Sequence, residues 1–324
     1  MMGPGQARPF IEDDFVGRDE PMANLLKVAR QETPKRILLV LGPFGIGKSW
    51  LLQKLQADRD ESDIESVLVD FATPPLGRAE WGYLDIVEAS CAQLGGAEFE
   101  ALRGLIETVR KEGAGLGLAD PFATQMAAAA PAAAAPAAPS DSRGGDTITV
   151  QAGDIGMGAQ VAIGSNIVMA QGDVHYHVVN QVGQNSDQAV QQHYQARITE
   201  AFRESLAAFS ATRKVSFVFD AWLKASNPTR DWLFQTLLAW IRDKQIAGAA
   251  AIVSDDAAVP ELQGRHPLVH PMELSTMTEA EIHDYWVDKR GLGEEKVVWV
   301  AQACLGHPLT LAMIADLHEM QGGL

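Results

Sequence analysis

The sequence predicts an α/β fold in which a mostly parallel sheet is flanked by helices, and three observations predict it. Near-continuous apolar runs recur at 36–42 (RILLVLG), 66–72 (SVLVDFA), 214–220 (KVSFVFD), 247–254 (AGAAAIVS) and 268–274 (LVHPMEL). Strands that are apolar throughout are those covered on both faces. Helical patterns lie between several of these runs, and alternation of that kind is the signature of parallel strands joined by helices. Hydrophobic residues make up 47% and charged residues 21% of 324, so the chain can bury a large core.

The first run ends at Gly42 and leads into a helical pattern over 48–57. After the second run the patterns at 81–94 and 99–111 are again helical. The third run begins only at 214, far more chain than one crossover helix requires, so the spacing predicts an insertion. Its first part, 113–146, contains an Ala/Pro stretch (127–139) that cannot hold a continuous helix across Pro131 and Pro136, and it reads as a tether. From Thr147 to Val179 short β-branched stretches (TITV, QVAIG, NIVMA, DVHYHVV) alternate with glycine, so 147–190 reads as a small β module with an open edge suited to self-association. His175 and His177 share one face of its last strand but have no third ligand, so they are read as strand residues and not as a metal site.

The pattern resumes with a helix over 192–210, carrying Ile198, Phe202, Leu206 and Phe209 at helical steps. Another helix is expected over 231–244, where Trp232, Leu233, Leu237, Leu238 and Ile241 recur. Beyond Met277 the chain turns helical: Thr278 followed by Glu281 has the spacing of a capping box, and the segments 294–305 and 308–320 flank Gly306. The expected organisation is an α/β core at 1–112 and 191–276, the tether, the β module, and a helical lid at 277–324.

Lys plus Arg number 26 and Asp plus Glu 42, a net charge of -16. Such a surface repels phosphate backbones and anionic lipid, so neither nucleic acid nor membrane is an expected partner. Cys91 and Cys304 have no metal or disulfide spacing, and no secretory or membrane-spanning apolar stretch is found, so a cytoplasmic location is expected.

The sharpest chemical signal is Gly42-Pro43-Phe44-Gly45-Ile46-Gly47-Lys48-Ser49, a GxxxxGK[ST] phosphate-binding loop between an apolar strand and a helix. Its glycines let backbone N–H groups converge on phosphate, the helix N-terminus adds partial positive charge, and Lys48 reaches the β- and γ-phosphates. Ser49 is the expected Mg²⁺ ligand, and Trp50 completes the contact set. The second signal is VSFVFD at 215–220, which ends in Asp220 as a strand that positions Mg²⁺ should. Ala221, Trp222, Leu223 and Lys224 follow and supply no carboxylate base, so slow hydrolysis is expected.

Together with Phe15-Val16-Gly17-Arg18-Asp19-Glu20 and Gly306-His307-Pro308-Leu309, these motifs resemble the STAND class of signal-transduction ATPases, including NB-ARC-type domains. The resemblance covers most of the chain outside roughly 113–190. It implies a P-loop NTPase fold, ATP or ADP with Mg²⁺ as cofactors, and contact of Val16, Gly17 and Arg18 with adenine and ribose. Pro308 would lie near the adenine. It also implies an arginine γ-phosphate sensor at the end of strand four, where this chain has Ser254-Asp255-Asp256 instead. The winged helix and repeat sensor usual in that class find no room before Leu324, so regulation through them is not expected.

The leading expectation is an ATP/ADP switch with weak ATPase activity, in which Lys48 and Asp220 act catalytically and the output is self-association or a separate effector protein. An assembly scaffold stabilised by nucleotide and driven by the β module is the alternative. A small-molecule kinase would need an acceptor pocket with a base and arginines, and no such cluster is visible.

Overall fold

In the computed structural model, residues 10–58, 64–115, 174–257, 259, 262 and 267–322 are described. Five strands, β1 (Ile37–Leu41), β2 (Glu65–Asp70), β3 (Val215–Asp220), β4 (Ala249–Asp255) and β5 (Val269–Glu273), form one sheet in the order β2-β3-β4-β1-β5. Every pairing is parallel. The expected strands are therefore present, with ends moved by one or two residues. β3 and β4 are buried at every position, whereas β5, on the sheet edge, is only partly covered. Pro271 falls on this edge strand, where a missing ladder donor is tolerated.

Residues 1–109 and 197–324 form one unit, and 110–196 another. In the first unit, helices α1 (Asp19–Ala29) and α2 (Lys48–Ala57) supply Met22, Leu25, Val28, Leu51, Leu52 and Leu55 to one core, where they meet Leu38, Val40, Val218 and Ile252 from one sheet face. The sheet residues alternate in sequence because successive strand side chains point to opposite faces. α3 (Tyr83–Leu94) follows β2, and α4 (Glu100–Gly115) begins in the first unit and ends in the second.

The second unit contains, among the described residues, the end of α4 and the first part of α5 (Val174–Ser210). Here the expectation of strands fails in part, because residues 174–190 are helical. The reason lies in a competing period. Valines at 174, 178 and 182 recur at four-residue steps, and the stretch runs without proline into the strongly helical 190–210, so propagation from an existing helix outweighs the short alternation. Residues 113–115 of the expected tether belong to α4, while its remainder, with the Ala/Pro stretch, and the remaining stretches of the expected β module, 147–173, lie outside the described residues.

A second difference falls at 231–244, where one expected helix is two, α6 (Asn227–Gln235) and α7 (Leu237–Arg242). Thr236 stands between them with φ -113° and ψ -90°, and its hydroxyl donates back to the Trp232 carbonyl. The Thr236 backbone N–H donates to the same carbonyl at 2.9 Å, so the carbonyl is shared between two donors, an arrangement in which threonine hydroxyls bend helices.

After β5 the chain forms α8 (Glu279–His283), a π turn (Asp284–Lys289), α9 (Val297–Cys304) and α10 (Pro308–Gly322). The capping box forms as its spacing requires: Thr278 Oγ1 accepts from Glu281 N at 3.3 Å, and Thr278 N donates to Glu281 Oε2 at 2.6 Å. These helices enclose their own core of Trp286, Tyr285, Ile282, Val300 and Leu311. Arg290 closes it from outside, donating to both Glu319 oxygens at 2.7 and 2.6 Å, to Asp316 at 2.7 Å and to Asp14 at 3.1 Å. The Glu319 carboxylate is the main reason the Arg290 guanidinium is held above its ordinary pKa. Both cysteines are free and buried, and burial pushes the Cys91 thiol up to about 11. No described helix is long and apolar enough to cross a membrane.

Gly248, before β4, shows how tightly the unit is packed. A Cβ there would lie 2.0 Å from the Ser210 carbonyl oxygen and 2.8 Å from that of Arg213. Both neighbours are backbone and cannot swing away, so Gly248→Ala is expected to cost about 1–3 kcal/mol, the usual range for overpacking. Urea denaturation checks this through a lower midpoint at unchanged slope.

Candidate functional site

In open α/β sheets ligands bind beyond the carboxyl ends of the strands. At that edge β1 gives way to the Gly42–Gly47 loop, which enters α2. The loop is fixed from below by Ile46, 1% exposed and part of the core, while Phe44 is 73% exposed at its crest. Gly47 takes the N-cap of α2 with φ +99°, a left-handed conformation that costs glycine little. Gly45, with φ +78°, has a second reason to be glycine: a Cβ would stand 2.6 Å from His307 Cε1.

Lys48 opens α2 and is only 7% exposed. Its ammonium donates to the carbonyls of Gly42 at 2.7 Å and Pro43 at 3.1 Å, and to Asp256 Oδ1 at 2.5 Å. The cation is thus folded back over the loop that precedes it. Ser49 is exposed in the first turn of α2, and Trp50 is half-buried with its ring edge-on to Phe10 at 5.5 Å.

Two strands away stands Asp220, the last residue of β3 and 8% exposed. Its Oδ1 accepts from Ser254 Oγ and from Ala221 N at 2.9 Å. The register sets Phe219 beside Val253 and Ser254 beside Val40, so Asp220 lies level with Val40, just below the loop. With neighbouring strands about 4.8 Å apart, the β3 and β1 backbones are separated by about 10 Å there. The two acidic residues after Ser254 differ in role. Asp255 accepts from Leu223 N at 2.6 Å and Asp256 N at 2.7 Å and so shapes the backbone, whereas Asp256 reaches out to Lys48.

The remaining expected site residues come from outside the sheet. Val16 is buried in the core of the C-terminal helices. Arg18 is 7% exposed, and donates to the carbonyls of Ile46 at 2.9 Å and Ser275 at 2.7 Å. Burial pulls its guanidinium below the ordinary pKa, and Glu281 partly opposes this. Gly17 and Arg18 line a cleft of about 580 Å³ together with Asp19, Glu20, Glu273 and Glu281. No residue of the Gly42–Ser49 loop lines this cleft, and its carboxylates make it a poor receptacle for phosphate.

Pro308 begins α10 and brings its neighbours onto the loop: His307 Nε2 lies 2.9 Å from the Phe44 carbonyl, and Leu309 N donates to the Gly45 carbonyl at 3.3 Å. A carbonyl only accepts, so His307 Nε2 is the donor to Phe44, and Nδ1 lies 3.3 Å from Thr310 Oγ1. Ser254, His307 and the Asp256 contact belong to the site without a motif in the sequence to mark their roles. The SDD ending of β4 marked a departure, but nothing in the order of residues showed that Asp256 faces Lys48.

No family model matches the sequence, and no curated protein matches it. Among solved structures the chain is similar to a Signal Transduction ATPase with Numerous Domains from Pyrococcus horikoshii that carries a tetratricopeptide repeat sensor. The identity is 13% and the TM-score 0.45, over 97% of this chain and 32% of that one. The chain thus spans about a third of that protein's length.

The Arg18 contacts yield a direct expectation. Arg18→Ala leaves the Ile46 and Ser275 carbonyls without their donor and should cost about 1–3 kcal/mol. Arg18→Lys should recover only part of this, because a single ammonium lacks the planar fork that spans two acceptors. Thermal melts of the three proteins check the order wild type, Lys, Ala.

Proposed function

We propose that this chain is a P-loop NTPase that binds ATP or ADP with Mg²⁺, hydrolyses ATP slowly and acts as a switch. The observation that carries the reading is the Gly42–Ser49 loop itself. Its sequence matches the phosphate-binding pattern, and it joins the carboxyl end of a buried parallel strand to a helix N-terminus, with Lys48 held at the loop.

The residues fit the ligand. The glycine conformation at 47 leaves open space where a Cβ would stand, as close approach of phosphate requires. Ser49 exposes a hydroxyl in the first turn of α2, and Asp220 offers a carboxylate at the same edge of the sheet, so these two would hold Mg²⁺. Bound there, the cation would neutralise charge on the phosphates. Lys48 would stabilise the β- and γ-phosphates as a charge-assisted donor. Ser254 keeps Asp220 oriented, and Ala221 N reinforces it. Ala221 through Lys224 offer no carboxylate to position an attacking water, which supports a rate below the roughly 1–100 s⁻¹ typical of kinases.

The contacts of His307 and Leu309 with the loop support the switch, because any change in loop conformation is felt at the start of α10. Self-association as the output draws support from the C-terminal helices. Val298, Trp299, Leu305, Met313, Leu317 and Met320 are 56–78% exposed there, an unusual density of apolar surface.

Three outcomes are expected. Lys48→Ala should weaken ATP binding about a hundredfold, measured by calorimetric titration, since it removes a charged donor to phosphate; unchanged affinity refutes the reading. Asp220→Asn should lower the ATPase rate about tenfold or more by loosening Mg²⁺, and the loss should be partly offset at high Mg²⁺ in a phosphate-release assay. Sedimentation should show a larger species in one nucleotide state only, and indifference to nucleotide would remove self-association as the output.

A further inference from the structure

The Lys48 ammonium has three N–H bonds, and three acceptors hold them: two loop carbonyls and the Asp256 carboxylate. The two carbonyls belong to the loop and move with it. Asp256 does not; it follows β4, the strand beside β1, and its side chain is 55% exposed. Its 2.5 Å contact with Lys48 is charge-assisted, so it is the strongest of the three and also the one open to exchange with solvent. The neighbouring carboxylate, Asp255, is spent on backbone N–H groups, which leaves Asp256 as a carboxylate with no structural duty of that kind in view.

We infer that Asp256 is a built-in competitor for the phosphate of an incoming nucleotide: its carboxylate pairs with the Lys48 cation and must give way when phosphate binds there. The inference rests on the nucleotide-binding reading and adds the regulation of that site. Two costs follow for the ligand. It must replace a short ion pair, and it must then lie near a carboxylate that has lost its partner. The first is the same for every ligand that takes Lys48, and the second grows with the negative charge that the ligand brings, so ATP is penalised more than ADP, and a ligand with no phosphate is not penalised. The sequence Ser254-Asp255-Asp256 then has a function opposite to that of a phosphate-sensing arginine at the same strand end: it sets nucleotide affinity low and biases the resting chain toward the diphosphate.

The test is calorimetric titration of the full chain with ATP, ADP and adenosine in the presence of Mg²⁺, using wild type, Asp256→Asn and Lys48→Ala. Asp256→Asn keeps the side-chain size and removes the charge, and Asp256→Ser serves if the first variant melts early. The expected result is ATP bound about tenfold more tightly by Asp256→Asn, ADP by a smaller factor, and adenosine unchanged. If wild type binds nucleotide in a Lys48-dependent way while Asp256→Asn leaves ATP affinity the same, the competitor role is wrong and the nucleotide reading stands. Weaker ATP binding in Asp256→Asn also overturns it and moves Asp256 into the Mg²⁺ sphere. An equal gain for adenosine overturns it as well, because the effect is then one of shape and not of charge. If wild type and Lys48→Ala do not differ with ATP, the nucleotide reading itself fails and this inference falls with it.

Discussion

Arg18 ties together three parts of the chain that are remote in sequence. One arm of its guanidinium holds the Ile46 carbonyl inside the glycine loop, the other holds the Ser275 carbonyl just after β5, and its own backbone begins α1. The geometry around it follows from that position. Gly17 adopts φ +52° beside the Glu281 side chain, where any Cβ would collide, and Val16 turns into the core of the C-terminal helices. Met277 N donates to the Gly306 carbonyl at 2.7 Å, which fixes the turn before α10, and α10 in turn touches the loop through Leu309. Loop, sheet edge and C-terminal helices are thus coupled through backbone carbonyls, which no surface substitution can easily replace. Such a buried cation is stable because its hydrogen bonds offset the cost of leaving water.

The electrostatics of the carboxyl edge follow from a different constraint. β2, β3, β4 and β5 all end in a carboxylate: Asp70, Asp220, Asp255 and Glu273. Several of these are consumed locally. Asp70 caps its own turn by accepting from Ala72 N and Thr73 Oγ1, and Asp255 accepts from three backbone N–H groups. β1 alone ends without one, at Leu41, and leads through Gly42 to Lys48, so the cation stands in a field of negative charge within a chain of net charge -16. An anionic ligand entering this edge meets repulsion from the strand-end carboxylates and attraction from Lys48 at the loop.

Much of the fold was legible because its signals are local. Strands buried on both faces read as unbroken apolar runs, and β1, β3 and β4 are of that kind. Thr278 and Glu281 declared a helix start because a capping box needs only four consecutive residues. The failures were places where two local signals competed. At 174–179 a two-residue alternation and a four-residue valine repeat coexist, and the adjoining helix decided between them. At 231–244 the apolar spacing was right for helix throughout, but at Thr236, whose hydroxyl and backbone N–H both donate to the Trp232 carbonyl, ψ turns to -90° and one helix becomes two.

The sequence by itself determined the class of sheet, the chemistry of the Gly42–Ser49 loop and the carboxylate at the end of β3, because each depends on residues adjacent in the chain or repeating at a fixed period. Only the tertiary structure decided the strand order, which sets β4 between β1 and β3 and so delivers Asp256 to Lys48 and Ser254 to Asp220. It also decided that Arg18 spends its guanidinium on Ile46 and Ser275, and that His307 leans on Phe44. These partners are separated by 28 to 263 positions. No periodicity spans such distances; parallel pairing of strands brings the ends together, and the charges and donors found there then choose their partners.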